Sequence, residues 1–235
     1  MSSRSGPGVT LACGFAVAPR EIETAAPLIP SRPTINKLRI AAAECEACDL
    51  WKTGTQTVFG EGKQTSTVMF VGEQPGNAED LKGRPFVGPA GGLLDKALAE
   101  AGIDRTKVYV TNVVKHFKWE PRGKKRIHKK PNASEITACR PWLEAEIHVI
   151  KPRVIICLGS TAAQAIIGPK FKVSTQRATF VDSPLAPFVT ATVHPSSILR
   201  TPSDERRHEE LARFIADLKK IRKAIEAPEA AAARR

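Results

Sequence analysis

The run Val154-Ile-Ile-Cys-Leu158 shows little alternation of apolar and polar residues. That pattern suits a central parallel strand covered on both faces. Around it, short apolar runs alternate with helical patterns, the signature of α/β architecture. Thr67-Val-Met-Phe-Val71 reads as a buried strand ended by the turn Gly72-Glu-Gln-Pro-Gly76, and Val108 to Val114 reads as a second. Extended segments are expected near Gln176 to Val181 and from Phe188 to Val193, the last ending at His194-Pro-Ser-Ser197. Leu93, Leu94, Ala97, Leu98 and Ala101 repeat at helical spacing until Gly102 stops them. Ser134 and Glu135 open a helix toward Ile150, a short Ala-rich helix begins near Thr161, and a final one runs from Asp204 toward Ile225. The expected fold is a three-layer α/β/α domain with a central, mostly parallel four-stranded sheet. It occupies residues 34–226, between a flexible tail over 1–33 and a frayed end over 227–235.

Three polar turns follow three of these strands at their carboxyl ends: Gly72 to Gly76, Asn112 to His116, and His194 to Ser197. In an open parallel sheet such ends converge on one crevice, where ligands bind. Any one of these turns is explained by Gly, Pro and Ser alone; three after strands, with polar side chains, point to a site.

The 36 Lys and Arg residues against 24 Asp and Glu give a formal charge of +12. An excess of that size points toward a polyanion, most commonly nucleic acid. It is concentrated between Lys115 and Lys130, where eight cations face the single acid Glu120 and Phe117 and Trp119 are interleaved. Such a segment is expected to be a loop that tracks phosphates while its rings stack on bases. A solvated basic loop is the plainer alternative. Within it lies His128, whose neighbouring cations disfavour imidazolium and so favour the neutral, nucleophilic ring. Pattern alone makes this residue a phosphate contact before a catalyst.

No apolar run approaches the ~18 residues needed to cross a bilayer. Arg4 and the mildly apolar stretch Val9 to Ala18 loosely imitate an export signal, but Cys13 and Gly14 interrupt it. Five cysteines are too few for a disulfide framework at this length, so a reducing, cytoplasmic setting is expected. Cys45 and Cys48 have a spacing that lets two thiolates grip one metal. Cys139 and Cys157 lie apart from them. A compact fold brings four sulfurs to a cubane cluster only if all converge. Zinc, a redox dithiol at Cys45 and Cys48, and plain core roles for the other two stay open on spacing. Cys13 has no assigned role.

The ordered strings Gly72 to Gly76, Gly83-Arg-Pro-Phe-Val-Gly-Pro-Ala-Gly91, Thr111-Asn-Val-Val-Lys-His116 and His194 to Ser197 resemble the family 4, iron-sulfur uracil-DNA glycosylases. The segment Gly123-Lys-Lys-Arg-Ile-His128 is similar to the signature of their UdgX branch, known for covalent attachment to uracil-containing DNA. The resemblance implies a [4Fe-4S] cluster on Cys45, Cys48, Cys139 and Cys157, and a substrate of uracil-containing, single-stranded DNA. It implies that Phe86 stacks on uracil, Asn112 reads its edge and His194 bonds the oxygen that takes the leaving charge. Gln74 and Gly76 assist through backbone amides, and Ser196 joins the substrate contacts. In this branch the nucleophile is the residue matching His128, with Glu73 beside it and Arg126 holding the loop and meeting phosphate. The implied enzyme acts in a single turnover, and a monomer is the default expectation.

Two departures stand out. Lys125 occupies a place where the branch more often shows Arg, and Asn77 a place where an acid is more common. An ordinary hydrolytic glycosylase and a non-catalytic metal-containing nucleic-acid binder are the competing expectations.

Overall fold

In a computed structural model, residues 24–226 of the chain are described. The elements run α1 (Ile35–Ala43), β1 (Val68–Gly72), α2 (Asn77–Lys82), α3 (Pro89–Ala101), β2 (Val108–Asn112), β3 (Trp119–Arg122), β4 (Lys125–His128), α4 (Ala133–Ile150), β5 (Val154–Leu158), α5 (Ser160–Ile166), α6 (Val173–Gln176), β6 (Phe188–Thr192), α7 (Pro195–Leu199) and α8 (Asp204–Glu226).

The sheet order is β2-β1-β5-β6, and every pairing is parallel. All four strands are buried along their whole length, as runs without alternation require. Their side chains still divide by the two-residue period of a strand. Met69, Val71, Tyr109, Ile155 and Cys157 pack with α1, α4 and α5 on one face. Val68, Phe70, Val110, Ile156 and Leu158 pack with α3, α7 and α8 on the other. The expected three layers are present. No helix among the described residues is long and apolar enough to cross a membrane.

Several local expectations are corrected. The segment from Gln176 to Val181 is not a strand of the sheet. Ala178 turns to φ 52°, which breaks an extended run, and the segment covers the free edge of β6 through Ala178 N–H to Ala191 O and Val181 N–H to Val189 O. The basic loop is in fact a hairpin, β3 paired antiparallel to β4, because Gly123 adopts φ 59° at a tight turn. Helix α4 is capped two residues before Ser134, with Asn132 and Glu135 forming a reciprocal capping box. Helices α1 and α2 carry too little pattern to be read in advance. Of the tail, residues 1–23 and 227–235 lie outside the described residues. Residues 24–33 run against the domain, with Ala25 fully buried and its N–H bonded to Ala138 O.

Candidate active site

The carboxyl ends of β1, β2, β5 and β6 open onto a cavity of about 670 Å³. Glu73, Gln74, Gly76, Phe86, Asn112, His128, His194 and Ser196 all line it. The three turns therefore converge as their placement after parallel strands predicts. Of the predicted catalytic and substrate-contacting residues, only Arg126 is outside the lining, as are the four predicted metal ligands Cys45, Cys48, Cys139 and Cys157.

Glu73 follows β1 directly. Its Oε1 stands 3.3 Å from Nε2 of His128, the last residue of the hairpin strand β4. Its Oε2 accepts the hydroxyl of Thr161, a buried residue in the first turn of α5. The carboxylate is thus shared between two partners, one per oxygen. Thr161 escaped the sequence reading because a threonine in an Ala-rich helix carries no signal of its own. The side chain of His128 is half exposed, and the charge that reaches its ring is the Glu73 carboxylate rather than the expected crowd of cations.

Half of those eight cations are committed elsewhere. Lys115 is buried against Glu146, Lys118 is bonded to Glu135, and Lys129 to Glu120. Arg126 donates to Asp80 at 2.6 Å, to Asn77 Oδ1 at 2.7 Å and to Thr55, so it anchors the hairpin to α2. Asn77, the departure noted above, is a neutral acceptor for that guanidinium beside the charged Asp80. The rings expected to stack on bases are also occupied. Phe117 is buried, Trp119 donates its indole N–H to Thr53 O, and the Arg126 guanidinium lies 5.4 Å from both ring centres. The exposed cations left at the hairpin turn are Arg122, Lys124 and Lys125.

Gln74 serves the hairpin with its side chain. Its amide donates to Lys118 O and Lys129 O and accepts from Lys118 N–H, gripping the chain on both sides of β3 and β4. The Gly76 amide is likewise taken, by Glu79 Oε2, while Glu79 Oε1 accepts from Gly88 N–H. Glu79 therefore ties the turn after β1 to the loop that carries Phe86.

Phe86 adopts φ 56°, a conformation costly for an aromatic residue, and its ring lies 6.2 Å from that of His194 at 26°. Asn112 ends β2 and is almost wholly buried. A Cβ on Gly72, the register partner of Asn112, would collide with the Asn112 amide oxygen, so the absence of a side chain there makes room for it.

His194 caps α7. Ser196 N–H donates to its Nδ1 at 3.1 Å and the Ser196 hydroxyl lies 2.8 Å away, which leaves the proton of the neutral ring on Nε2. Burial, reinforced by the charge of Arg200, pulls its pKa down to about 4. Ser196 acts on this ring and fixes its tautomer.

Cys45, Cys139 and Cys157 belong to the core under α1, α4 and α5, with partly buried Cys48 packed against it. None of these four cysteines is paired in a disulfide. Among the described residues no three His, Cys, Asp or Glu side chains stand grouped as metal ligands. Cys45 Sγ accepts from the Trp142 indole N–H and Cys139 Sγ from Lys115 N–H, each at 3.2 Å. Burial pushes the Cys139 thiol up to about 12 and raises those of Cys48 and Cys157. The N–H groups aimed at Cys45 and Cys139 would also stabilise those two sulfurs as thiolates, the form in which cysteine binds a metal.

Comparison with known proteins bears on this geometry. Residues 59–219 match the model of the uracil DNA glycosylase superfamily. The type-4 uracil-DNA glycosylase of Thermotoga maritima is 41% identical over 165 residues, covering 70% of this chain and 82% of that protein. The protein of the same description from Sulfurisphaera tokodaii is 36% identical over 197 residues, covering 80% and 84%. That from Pyrobaculum aerophilum is 38% identical over 180 residues, covering 72% and 86%.

Proposed function

The chain belongs to the uracil DNA glycosylase superfamily, and from that premise we propose that it excises uracil from DNA and then retains the sugar on His128. The observation that carries the second half is the 3.3 Å approach of His128 Nε2 to Glu73 at the mouth of the cavity.

Breaking the glycosidic bond puts positive charge on the sugar and negative charge on the base. The flipped uracil enters the cavity. Phe86 stacks on it, Asn112 reads its edge through the side-chain amide, and neutral His194 donates from Nε2 to the oxygen that gains charge. As the bond from C1′ to uracil N1 breaks, its electrons leave with the base. The lone-pair nitrogen of the His128 imidazole bonds to C1′, and the remaining ring proton passes to Glu73 and on to solvent. Glu73 also faces the cationic sugar. Because the carbon–nitrogen bond persists, one chain serves one lesion.

Arg122, Lys124 and Lys125 at the hairpin turn supply a salt-sensitive contact to phosphate, and a preference for single strands follows from the lower cost of extracting an unpaired base. Cys45, Cys48, Cys139 and Cys157 would hold a [4Fe-4S] cluster. When bound, that group would cross-link the segment after α1 to α4 and β5 and take no part in bond breaking.

The test is denaturing electrophoresis after mixing the protein with a single-stranded oligonucleotide that carries one uracil. A shifted band that His128→Ala abolishes supports capture. Uracil release with a free abasic strand and no shifted band leaves an ordinary hydrolytic glycosylase. Binding without release removes the enzymatic reading altogether.

A further inference from the structure

Beneath the cavity lies a charged pair with no access to solvent. Lys115 and Glu146 have side chains 1% and 0% exposed, and Nζ meets Oε2 at 2.6 Å. Removing two charges from water costs several kcal/mol per ion, and apolar residues of similar size often fill such sites equally well. What the pair does that apolar packing cannot is therefore the question.

The hydrogen bonds answer it. The three ammonium protons are all used: on Glu146 Oε2, on Thr111 Oγ1 at 2.7 Å and on the main-chain oxygen of Asn112 at 2.7 Å. Glu146 is saturated in turn by Tyr109 OH, Thr111 Oγ1 and Gly60 N–H. The Asn112 oxygen belongs to the same peptide unit as the Val113 N–H, which donates to Gly72 O at 3.0 Å. That peptide is held at both ends, by a charge on one side and by the neighbouring strand on the other. The main-chain N–H of Lys115 continues the chain of contacts to Cys139 Sγ.

We propose that Lys115 and Glu146 are positioning residues for base selection: their buried ion pair locks the Asn112 peptide, and thereby aims the Asn112 amide at the uracil edge. The inference rests on Asn112 reading uracil as proposed above. An apolar side chain at 115 leaves the Asn112 oxygen buried without its donor, and the amide is free to tilt.

The test removes both charges together, so that no unpaired ion remains, in Lys115→Met/Glu146→Gln. Glutamine still accepts from Gly60 and Tyr109, and the double variant is expected to unfold cooperatively. Its single-turnover rate constant for uracil excision is expected to fall at least about tenfold, with a smaller change in the DNA concentration that half-saturates the rate, and its preference for uracil over cytosine to fall by about tenfold. On an Asn112→Ala background the same two changes are expected to add less than about twofold, the mark of residues that act through one another. The Asn112 side-chain amide resonances are expected to shift or broaden. Full additivity with Asn112→Ala, or wild-type discrimination with unmoved Asn112 resonances, overturns the proposal. The resonance measurement needs no turnover, so it reads the positioning even where the wild-type chain releases no uracil, an outcome that sinks the functional reading instead.

Discussion

Glu73 and His128 meet across 3.3 Å, Oε1 to Nε2, although Glu73 follows a strand of the central sheet and His128 ends a hairpin that shares no ladder with that sheet. Their meeting depends on side chains that fasten the hairpin, chiefly Gln74 and Arg126. Chemistry at this pair is therefore separable from the integrity of the fold.

Gln74→Ala removes three hydrogen bonds, each worth about 1 kcal/mol net, between the turn after β1 and the hairpin. Adduct formation is expected to slow by about tenfold or more, while uracil release changes far less. Quenched time courses that score free uracil and the shifted band separately distinguish the two. Equal losses in both would show that Gln74 acts on the base and not on the hairpin.

Thr161→Val removes the hydroxyl that holds Glu73 Oε2 while keeping the shape of the side chain. Both excision and capture are expected to fall, by about ten- to a hundredfold, with substrate affinity nearly unchanged. Thr161→Ser restores the hydroxyl and is expected to recover most of the loss. A serine variant as weak as the valine variant would assign Thr161 to packing.

With a pKa near 4 in place of its ordinary value of 6.5, His194 stays neutral in the folded protein through the mildly acidic range. The unfolded chain takes up this proton first as pH drops. Stability from this group is therefore complete above about pH 6.5 and is lost as pH falls toward 4, by at most about 3 kcal/mol, and by less because the ring borders an open cavity. Histidine ring resonances followed against pH are expected to place the His194 midpoint below about 5. A midpoint above 6 would contradict a neutral donor held by burial.

Purified protein is expected to contain iron and acid-labile sulfide in equal amounts and to lose both in Cys139→Ser, together with thermal stability. Zinc in place of iron, in a fully active preparation, would overturn the cluster assignment and leave the glycosylase chemistry intact.

The layered fold was legible because its strands are apolar on both faces, so Val154–Leu158 or Val68–Gly72 resembles little else. The convergence of the three turns followed from parallel topology. What escaped was pairing over distance. A run of cations does not disclose that Lys115 lies buried on Glu146, or that Arg126 is spent on Asp80 and two aromatic rings. Phe117 was misread for the same reason, since composition marks a ring but not which side of the chain it faces. Gln74 was read for its backbone amide alone, and its side chain's grip on the hairpin went unseen; Thr161 had no pattern to betray it. His128 was visible through its surrounding signature, and its carboxylate partner through the turn that bears it.

The β3–β4 hairpin stands outside the four-stranded sheet and owes its place to a handful of polar contacts. Such an appendage is free to be lengthened, lost or re-sequenced over evolutionary time at little expense to folding. A lineage of scaffolds could thus alternate between releasing a repaired strand and remaining welded to it by editing one short excursion of the chain.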